Sequence, residues 1–305
     1  ELTIDAVDLG TAGAGVHRLA FCPACGYSQE ISAVDRLTAC PKCHQPGIAD
    51  EGQHLRVVEL TKVYSTMELN RAKIGDTSED RRSVQFEELT IPDFADSETR
   101  ARWSIEGTGL GVAFRRGTRL TRLNVGRPRE GAREAVLAGQ KQRIGGFTIC
   151  AECGHLEQDL QKNDPHEHQA WCTQRKAENP EAVSVVLSRE LITESVMISL
   201  PPSISEDSSG HSLISFYAAI MLGLRERFGG EVSHLGMEVV SDTSRNNAES
   251  LLLFDAVPGG TGYLAELSSP ESLWKLFQAA LQRLLECPCQ DEERTACFRC
   301  LMPHV

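Results

Sequence analysis

The 305-residue sequence contains no run of 18 apolar residues, so no helix is expected to cross a membrane. It begins at Glu1 with no initiator Met and no basic-then-apolar leader; no signal peptide is expected, and a cytoplasmic setting follows. The chain reads as a piece of a longer polypeptide. Gly-x4-Gly-Lys-Ser/Thr occurs nowhere, which excludes a P-loop within these residues. No His-Lys-Asp phosphodiesterase motif is present, and no Lys stands two residues beyond an acidic residue on a suitable strand. Low-complexity tracts are missing, and nothing repeats beyond short cysteine turns. Positive charge is scarce as well: 31 Lys and Arg face 43 Asp and Glu, for a net charge of -12. That balance argues against a protein that simply coats nucleic acid.

What is present is a soluble, globular composition, 41% apolar and 24% charged. The charge is uneven. Between Arg100 and Arg143 eleven Arg or Lys are opposed by Glu106, Glu130 and Glu134, a local excess of +8 on a remainder of -20. Such a segment is a local docking surface rather than a global field.

Eleven cysteines carry the strongest signal. Cys22-Pro23-Ala24-Cys25-Gly26 and Cys40-Pro41-Lys42-Cys43 are two turns that each bring a thiolate pair to one side. Two such pairs close a tetrahedral zinc shell, each sulfur about 2.3 Å from the metal. Pro within each turn and Gly26 after the first suit the tight geometry. Cys287-Pro288-Cys289 and Cys297-Phe298-Arg299-Cys300 supply a second four-thiolate set. The middle set, Cys150-Ala151-Glu152-Cys153 with Cys172, holds three thiols and needs a fourth ligand. His168, three residues before Cys172, is favoured; His166 is the alternative, and His155 is poorly placed. Four protein ligands leave no open position for water, so these zinc ions are read as structural rather than catalytic. A secreted disulfide protein would need a leader, and disulfide scaffolds are usually small and denser in cysteine than this, so metal is the expected reading. A redox role would require reversible disulfides instead of held metal.

Hydropathy patterning predicts an α+β fold, a mixed sheet with packed helices and three zinc-binding knuckle modules. The segments read as 1-50, a zinc ribbon; 51-145, a β-rich basic segment; 146-176, a second zinc module; and 177-305, an α+β domain ending in a four-cysteine site. Strands are expected at Leu55-Leu60, at Thr61-Thr66, at Leu110-Arg116 and at Arg119-Val125. Asp76 to Asp80 reads as a polar loop. Gly117-Thr118 would turn the third and fourth strands into a hairpin. Gly126 to Gln140 reads as a loop leading into a short helix. Further strands are expected at Ala182-Leu187, Ser195-Leu200, Gly236-Val240 and Ser250-Phe254. An acidic loop at Ser203-Gly210 leads to a helix at Leu213-Phe228. A last helix runs from Pro270 to Glu286, with Leu273, Trp274, Phe277, Leu281, Leu284 and Leu285 at helical spacing.

Between the last strand and that helix lies Phe254-Asp255-Ala256-Val257-Pro258-Gly259-Gly260-Thr261-Gly262-Tyr263. A strand, an Asp and a Gly-rich turn before a helix can cradle a phosphate; the same glycines can equally serve a tight turn. Asp255 and Glu238 could also hold Mg2+ in a nuclease.

This run, followed by a helix and by Cys-x-Cys and Cys-x2-Cys-Leu, resembles the MZB domain. That zinc-binding domain closes the C-terminal region of MrfA-type DEAD/DEAH helicases. It also occurs in the DrmB component of DISARM and is similar to the C-terminal region of Druantia's DruE helicase. The Tyr64-Ser65-Thr66-x-Glu68-x-Asn70 stretch and the Cys150-Cys153-Gly154 knuckle are similar to the region before it. The specific part is 248-301, where Ala296-Cys297-Phe298-Arg299-Cys300-Leu301 differs from the usual Gly-Cys-Pro-x-Cys-Leu. The resemblance implies a non-catalytic zinc module serving a DNA-acting ATPase in repair or anti-phage defence. ATP would enter through a helicase core outside this chain, and DNA and that core would be the partners. Arg115, Arg116, Arg119 and Arg122 are the first candidates for phosphate contact.

Overall fold

The computed structural model describes residues 6-9, 15-34, 38-60, 87-94, 96-127, 132-156, 168-177, 181-205, 211-229, 232, 234-242, 248-291, 297 and 300. In chain order the strands are β1 (Val16–Phe21), β2 (Ser28–Glu30), β3 (His54–Glu59), β4 (Glu88–Asp93), β5 (Glu98–Ser104), β6 (Gly111–Asn124), β7 (Arg133–Leu137), β8 (Gln140–Ile144), β9 (Phe147–Cys150), β10 (Ala182–Ser199), β11 (Leu235–Asp242) and β12 (Ala248–Asp255). The helices are α1 (Ile31–Val34), α2 (Pro202–Ser205), α3 (His211–Phe228), α4 (Tyr263–Glu266) and α5 (Pro270–Leu285). The fold is α+β with a mixed sheet, as patterning predicts. No helix among the described residues is long and apolar enough to cross a membrane. The expected strand at Thr61-Thr66, the loop at Asp76-Asp80 and the Tyr64-Asn70 stretch lie outside the described residues.

The chain divides into two compact units, Glu1–Ile91 with Thr121–Glu190, and Pro92–Leu120 with Leu191–Val305. In the first, β1 lies between β2 and β3, antiparallel to both, and β3 runs parallel to the start of β10 through Val57 and Val186. β9 pairs antiparallel with the first residues of β10. Alternation sends Phe21, Leu55, Val57, Leu123, Leu137 and Val186 into one buried cluster. Phe147, Ile149, Val185 and Leu187 form another. Among the described residues no short helix precedes Gln140. β7 and β8 form a hairpin there, turning at Ala138 and Gly139 with φ of 50° and 83°. Two residues at positive φ match the twist of the flanking strands, and this outweighs the helical composition of the segment.

In the second unit β11, β12 and the end of β10 form an antiparallel set, and β5 pairs with the first half of β6. Val196, Ile198, Leu251 and Leu253 from the strands meet Ile220 and Leu224 of α3 and Leu273 and Leu276 of α5. Each fully buried Leu or Ile is worth about 1.5–3 kcal/mol, so this packing of helix on sheet contributes strongly to the unit's stability. Ser269 caps α5, its hydroxyl accepting from the Ser272 N–H at 3.2 Å, and Pro270 opens the first turn. The helical spacing read for α5 is observed, but Trp274, Leu281 and Leu285 face outward, 60%, 57% and 69% exposed.

Two expected breaks do not occur. β6 runs straight through Gly117, which adopts φ 70°, and the hairpin expected at Gly117-Thr118 is absent. The strand continues because its first half has β5 as a ready antiparallel partner and the strand as a whole pairs with β4 and β10 as well. Likewise β10 is one 18-residue strand instead of two. Its polar stretch suggests a loop, yet Thr193, Glu194 and Ser195 are buried and each has a partner. Thr193 donates to the Val257 carbonyl, Arg116 donates to Glu194, and the Ser195 and Thr118 hydroxyls meet at 2.7 Å. Paired polar groups can stay in a buried strand at modest cost; of these atoms only the second Glu194 carboxylate oxygen, Oε2, has no hydrogen-bond partner among the described residues. At the start of the expected acidic loop, residues 202-205 form α2.

Candidate metal centres

The first centre is built by two turns. Cys22 N–H donates to the Tyr27 carbonyl at 2.7 Å, and Gly26 N–H donates back to the Cys22 carbonyl at 3.0 Å. Cys40 with Gln45 and His44 with Cys40 repeat that pattern at 2.8 and 2.9 Å. The fifth residue of each turn has positive φ, 74° at Gly26 and 61° at His44. Each turn therefore presents two sulfurs on one side. Cys22 and Cys43 Sγ are 3.6 Å apart, and Cys25 and Cys40 Sγ are 3.7 Å apart. A disulfide would require about 2.05 Å. Two sulfurs at about 2.3 Å from one tetrahedral zinc stand about 3.8 Å apart. The observed spacings fit the metal and not the bridge. The hairpin turn of β7–β8 rests on this centre, Gly139 N–H donating to the Pro23 carbonyl at 2.6 Å.

The second centre repeats the turn at Cys150, with Cys150 N–H to His155 carbonyl at 2.8 Å and Gly154 N–H to Cys150 carbonyl at 3.0 Å. Gly154 has φ 70°, and a Cβ there would lie 1.8 Å from the Val7 carbonyl oxygen, so glycine is required twice over. His168 Nδ1 lies 3.3 Å from Cys153 Sγ and 3.7 Å from Cys172 Sγ; Cys150 and Cys172 Sγ are 3.8 Å apart. The cluster is thus assembled with His168, its Nδ1 toward the sulfurs. His166 lies outside the described residues. His155 is buried, its ring 5.2 Å from that of His168, beside the ligand group rather than in it. Glu152 ties the two halves together: its carboxylate accepts from Thr173 N–H at 2.9 Å and from the Thr173 hydroxyl at 2.6 Å. Those bonds hold the Glu152 carboxyl below its ordinary range. Sequence reasoning does not single out Glu152, because an acid between two cysteines carries no signal of a partner 21 residues on.

In the third centre α5 leads into a short turn at Pro288–Gln290 that places Cys287 and Cys289 3.4 Å apart at sulfur. Cys287 and Cys297 Sγ are 3.5 Å apart, and Cys300 Sγ lies 3.8 Å from both Cys289 and Cys297. Cys297 N–H donates to Cys300 Sγ at 3.2 Å. Leu222 of α3 is fully buried against these sulfurs.

In each cluster the four ligand atoms lie within 4.8 Å of one another. Burial pushes the Cys172 thiol up to about 12, and the neighbouring Cys287 sulfur first, then burial, pushes Cys289 up to about 12. Thiols so crowded do not ionise together without a cation. Zn2+ supplies that charge, and three thiolates with a His or four thiolates suit it better than oxygen-preferring metals. All three clusters are suited to zinc, and with four protein ligands each they are closed.

The remaining candidates are distributed differently. Arg115 donates to Thr99 at 2.9 Å and stands over the Phe94 ring, half-buried. Arg116 pairs with buried Glu194 and Arg122 with Glu88, each at 2.9 Å. Arg119 lies on β6 between buried Thr118 and Leu120. Asp255 is fully buried. One carboxylate oxygen accepts from Val257 N–H at 2.9 Å, and the other from Thr261 N–H at 2.6 Å and from the Thr261 hydroxyl. Among the described residues neither Asp255 nor Glu238 belongs to a cluster of metal-ligating groups.

Fold and centres together define an α+β protein with three closed, zinc-suited clusters. Residues 216–301 match the family model described as the MrfA Zn-binding domain, a span that contains the Asp255 loop and all four cysteines of the third centre. Among solved structures the chain is similar to "DUF1998 helicase MrfA bound to DNA", at 12% identity and a TM-score of 0.38. That alignment covers 72% of this chain and 22% of the other, so the present chain spans a minor part of its length. No curated protein matches.

Proposed function

We propose that this chain is the non-catalytic, zinc-binding region of an ATP-dependent DNA helicase or translocase, or of a close partner to one. The match over residues 216–301 carries this reading. Zinc fixes the fold, by the ligands Cys22, Cys25, Cys40 and Cys43; Cys150, Cys153, His168 and Cys172; and Cys287, Cys289, Cys297 and Cys300. ATP is handled by a core outside these residues, in cis or in trans. The chain adds contacts to DNA and to that core, the basic segment with Arg115, Arg116, Arg119 and Arg122 among them. Its setting is cytoplasmic, in DNA repair or in defence against phage.

The rival, a Mg2+-dependent nuclease, would need Asp255 or Glu238 to face a metal. Both Asp255 oxygens instead hold the chain's own loop, which favours the non-catalytic reading. The test uses the full polypeptide or the assembled complex. Cys289→Ser with Cys300→Ser should remove one zinc, lower DNA-stimulated ATP hydrolysis and duplex unwinding, and leave DNA-independent ATP hydrolysis in place. Unwinding that continues undiminished after loss of that zinc would sink the proposal.

A further inference from the structure

The first unit contains a cavity of ≈ 570 Å³ that the zinc centres do not use. Its charged lining is Arg18, Arg56 and Arg133 against Glu51, together with His54 and the hydroxyl residue Ser184. Ligand sites commonly occupy about 300–1,000 Å³, so the space is adequate for a phosphate and part of what carries it. It opens where β3 and β10 part: their ladder begins at Val57 with Val186, and before it β10 pairs with β9 instead.

Three observations set its chemistry. Arg18 and Arg56 are directly opposite one another in the antiparallel β1–β3 pair. Residues so placed have Cβ atoms about 4.5–5.5 Å apart, and like charges there destabilise a sheet. Both side chains are exposed, and neither has a carboxylate partner among the described residues. Second, His54 shares their face, two residues from Arg56 and opposite Ala20, and its Nε2 is buried without a hydrogen-bond partner among the described residues. Third, Arg133 is fixed at the wall. Its Nη2 donates to the carbonyls of Glu51 at 3.1 Å, Gly52 at 2.7 Å and His54. A guanidinium fixed at the wall beside two unneutralised ones, with the Ser184 hydroxyl, matches a tetrahedral oxyanion, which accepts several N–H and O–H donors at once.

We infer that this cavity binds a phosphate group, and that the phosphate is one of a nucleic-acid backbone. The second part rests on the proposed DNA-acting role. An anion between Arg18 and Arg56 turns their mutual repulsion into shared attraction.

The test uses the zinc-loaded chain, Arg18→Gln with Arg56→Gln, and Lys275→Gln as an exposed control of like charge. Neither arginine is buried, so the double variant should fold with unchanged or higher thermal stability. Its affinity for single-stranded and duplex oligonucleotides should fall about tenfold or more, with a salt slope shallower by about one per lost phosphate contact. The control should match the wild type. Equal affinity and slope in wild type and double variant would overturn the site and leave the DNA-acting role standing. If the wild type binds no oligonucleotide, yet inorganic phosphate or pyrophosphate raises its melting temperature and not that of the double variant, the cavity takes a free phosphate compound. The site then stands and the DNA reading falls. Absence of both responses overturns the site.

Discussion

Asp255→Asn separates a structural carboxylate from a catalytic one. The wild-type side chain is fully buried and receives three hydrogen bonds from its own loop, two of them from backbone N–H groups. An Asn amide has one oxygen. It can serve Val257 or Thr261, and its NH2 then faces the donors left over. One buried N–H without an acceptor costs about 1–3 kcal/mol, and a hydrogen bond to a charged group contributes about 1.5–3 kcal/mol. Allowing for partial relaxation, the loss should be about 2–5 kcal/mol. For a unit of this size that lowers the melting temperature by roughly 5–15 °C. Differential scanning calorimetry on the zinc-loaded chain measures it, with Asp291→Asn, on an exposed carboxylate, as the control. A shift no larger than the control's would refute the view that Asp255 locks the loop. A wild type that cuts DNA with Mg2+, beside an Asp255→Asn chain that melts normally and does not cut, would establish the nuclease instead.

His168→Ala should lower the zinc content from three ions per chain to two, whereas His166→Ala should leave three; metal analysis after purification without added zinc decides between them, and the reverse result would move the fourth ligand to His166. Acidification should release zinc, because protons compete for the thiolates. For the chelated chain the sign is opposite. The Cys172 thiol is raised from 9.0 to about 12 in the fold, so its stabilising contribution is fully present below about pH 9 and is lost as pH rises toward 12. Unfolding midpoints of metal-free chain at pH 8 and pH 11 should therefore fall with pH; midpoints that rise would contradict the assignment of the cause to burial.

The metal centres were legible because a Cys-x2-Cys turn is local. Its two thiolates are placed by backbone hydrogen bonds spanning no more than five residues, as at Cys22, Cys40 and Cys150. Gly26 and Gly154 signal the positive φ directly, whereas His44 occupies the equivalent position with no glycine to announce it. The strands were legible where both ends of the reason lie nearby, as in β12. They are not legible where the reason lies far off. Gly117 has the composition of a turn, but β5 and β10 hold β6 straight. Ser195 interrupts the apolar pattern of β10, and only the Thr118 hydroxyl, 77 residues away, makes its burial affordable. Arg18 and Arg56 carry no sequence signal for the same cause. The basic segment is dense along the chain, while these two are 38 residues apart and meet only through antiparallel register.

That register also bears on where an anion can bind. The Pro258-Gly259-Gly260-Thr261-Gly262 run has the composition of a phosphate cradle, and glycine content alone does not separate a cradle from a turn. In the fold its useful donors, the Val257 and Thr261 N–H groups, already face Asp255. The following helix, α4, has four residues and offers little dipole. Gly260 is pressed against Glu194, whose Cγ would lie 2.5 Å from a Cβ at that position. A phosphate there would meet two carboxylates, with Arg116 offsetting one of them. At about 4 Å and an effective dielectric of about 20, each unneutralised pair of like charges costs about 4 kcal/mol. An anion is therefore repelled from the glycine loop, and the glycines serve the lock that Asp255 closes. The carboxylate holds one end of the route from β12 into α5, and the third zinc centre holds the other. Anion binding falls instead to a place with the opposite balance, where Arg18 and Arg56 stand side by side with no described carboxylate between them.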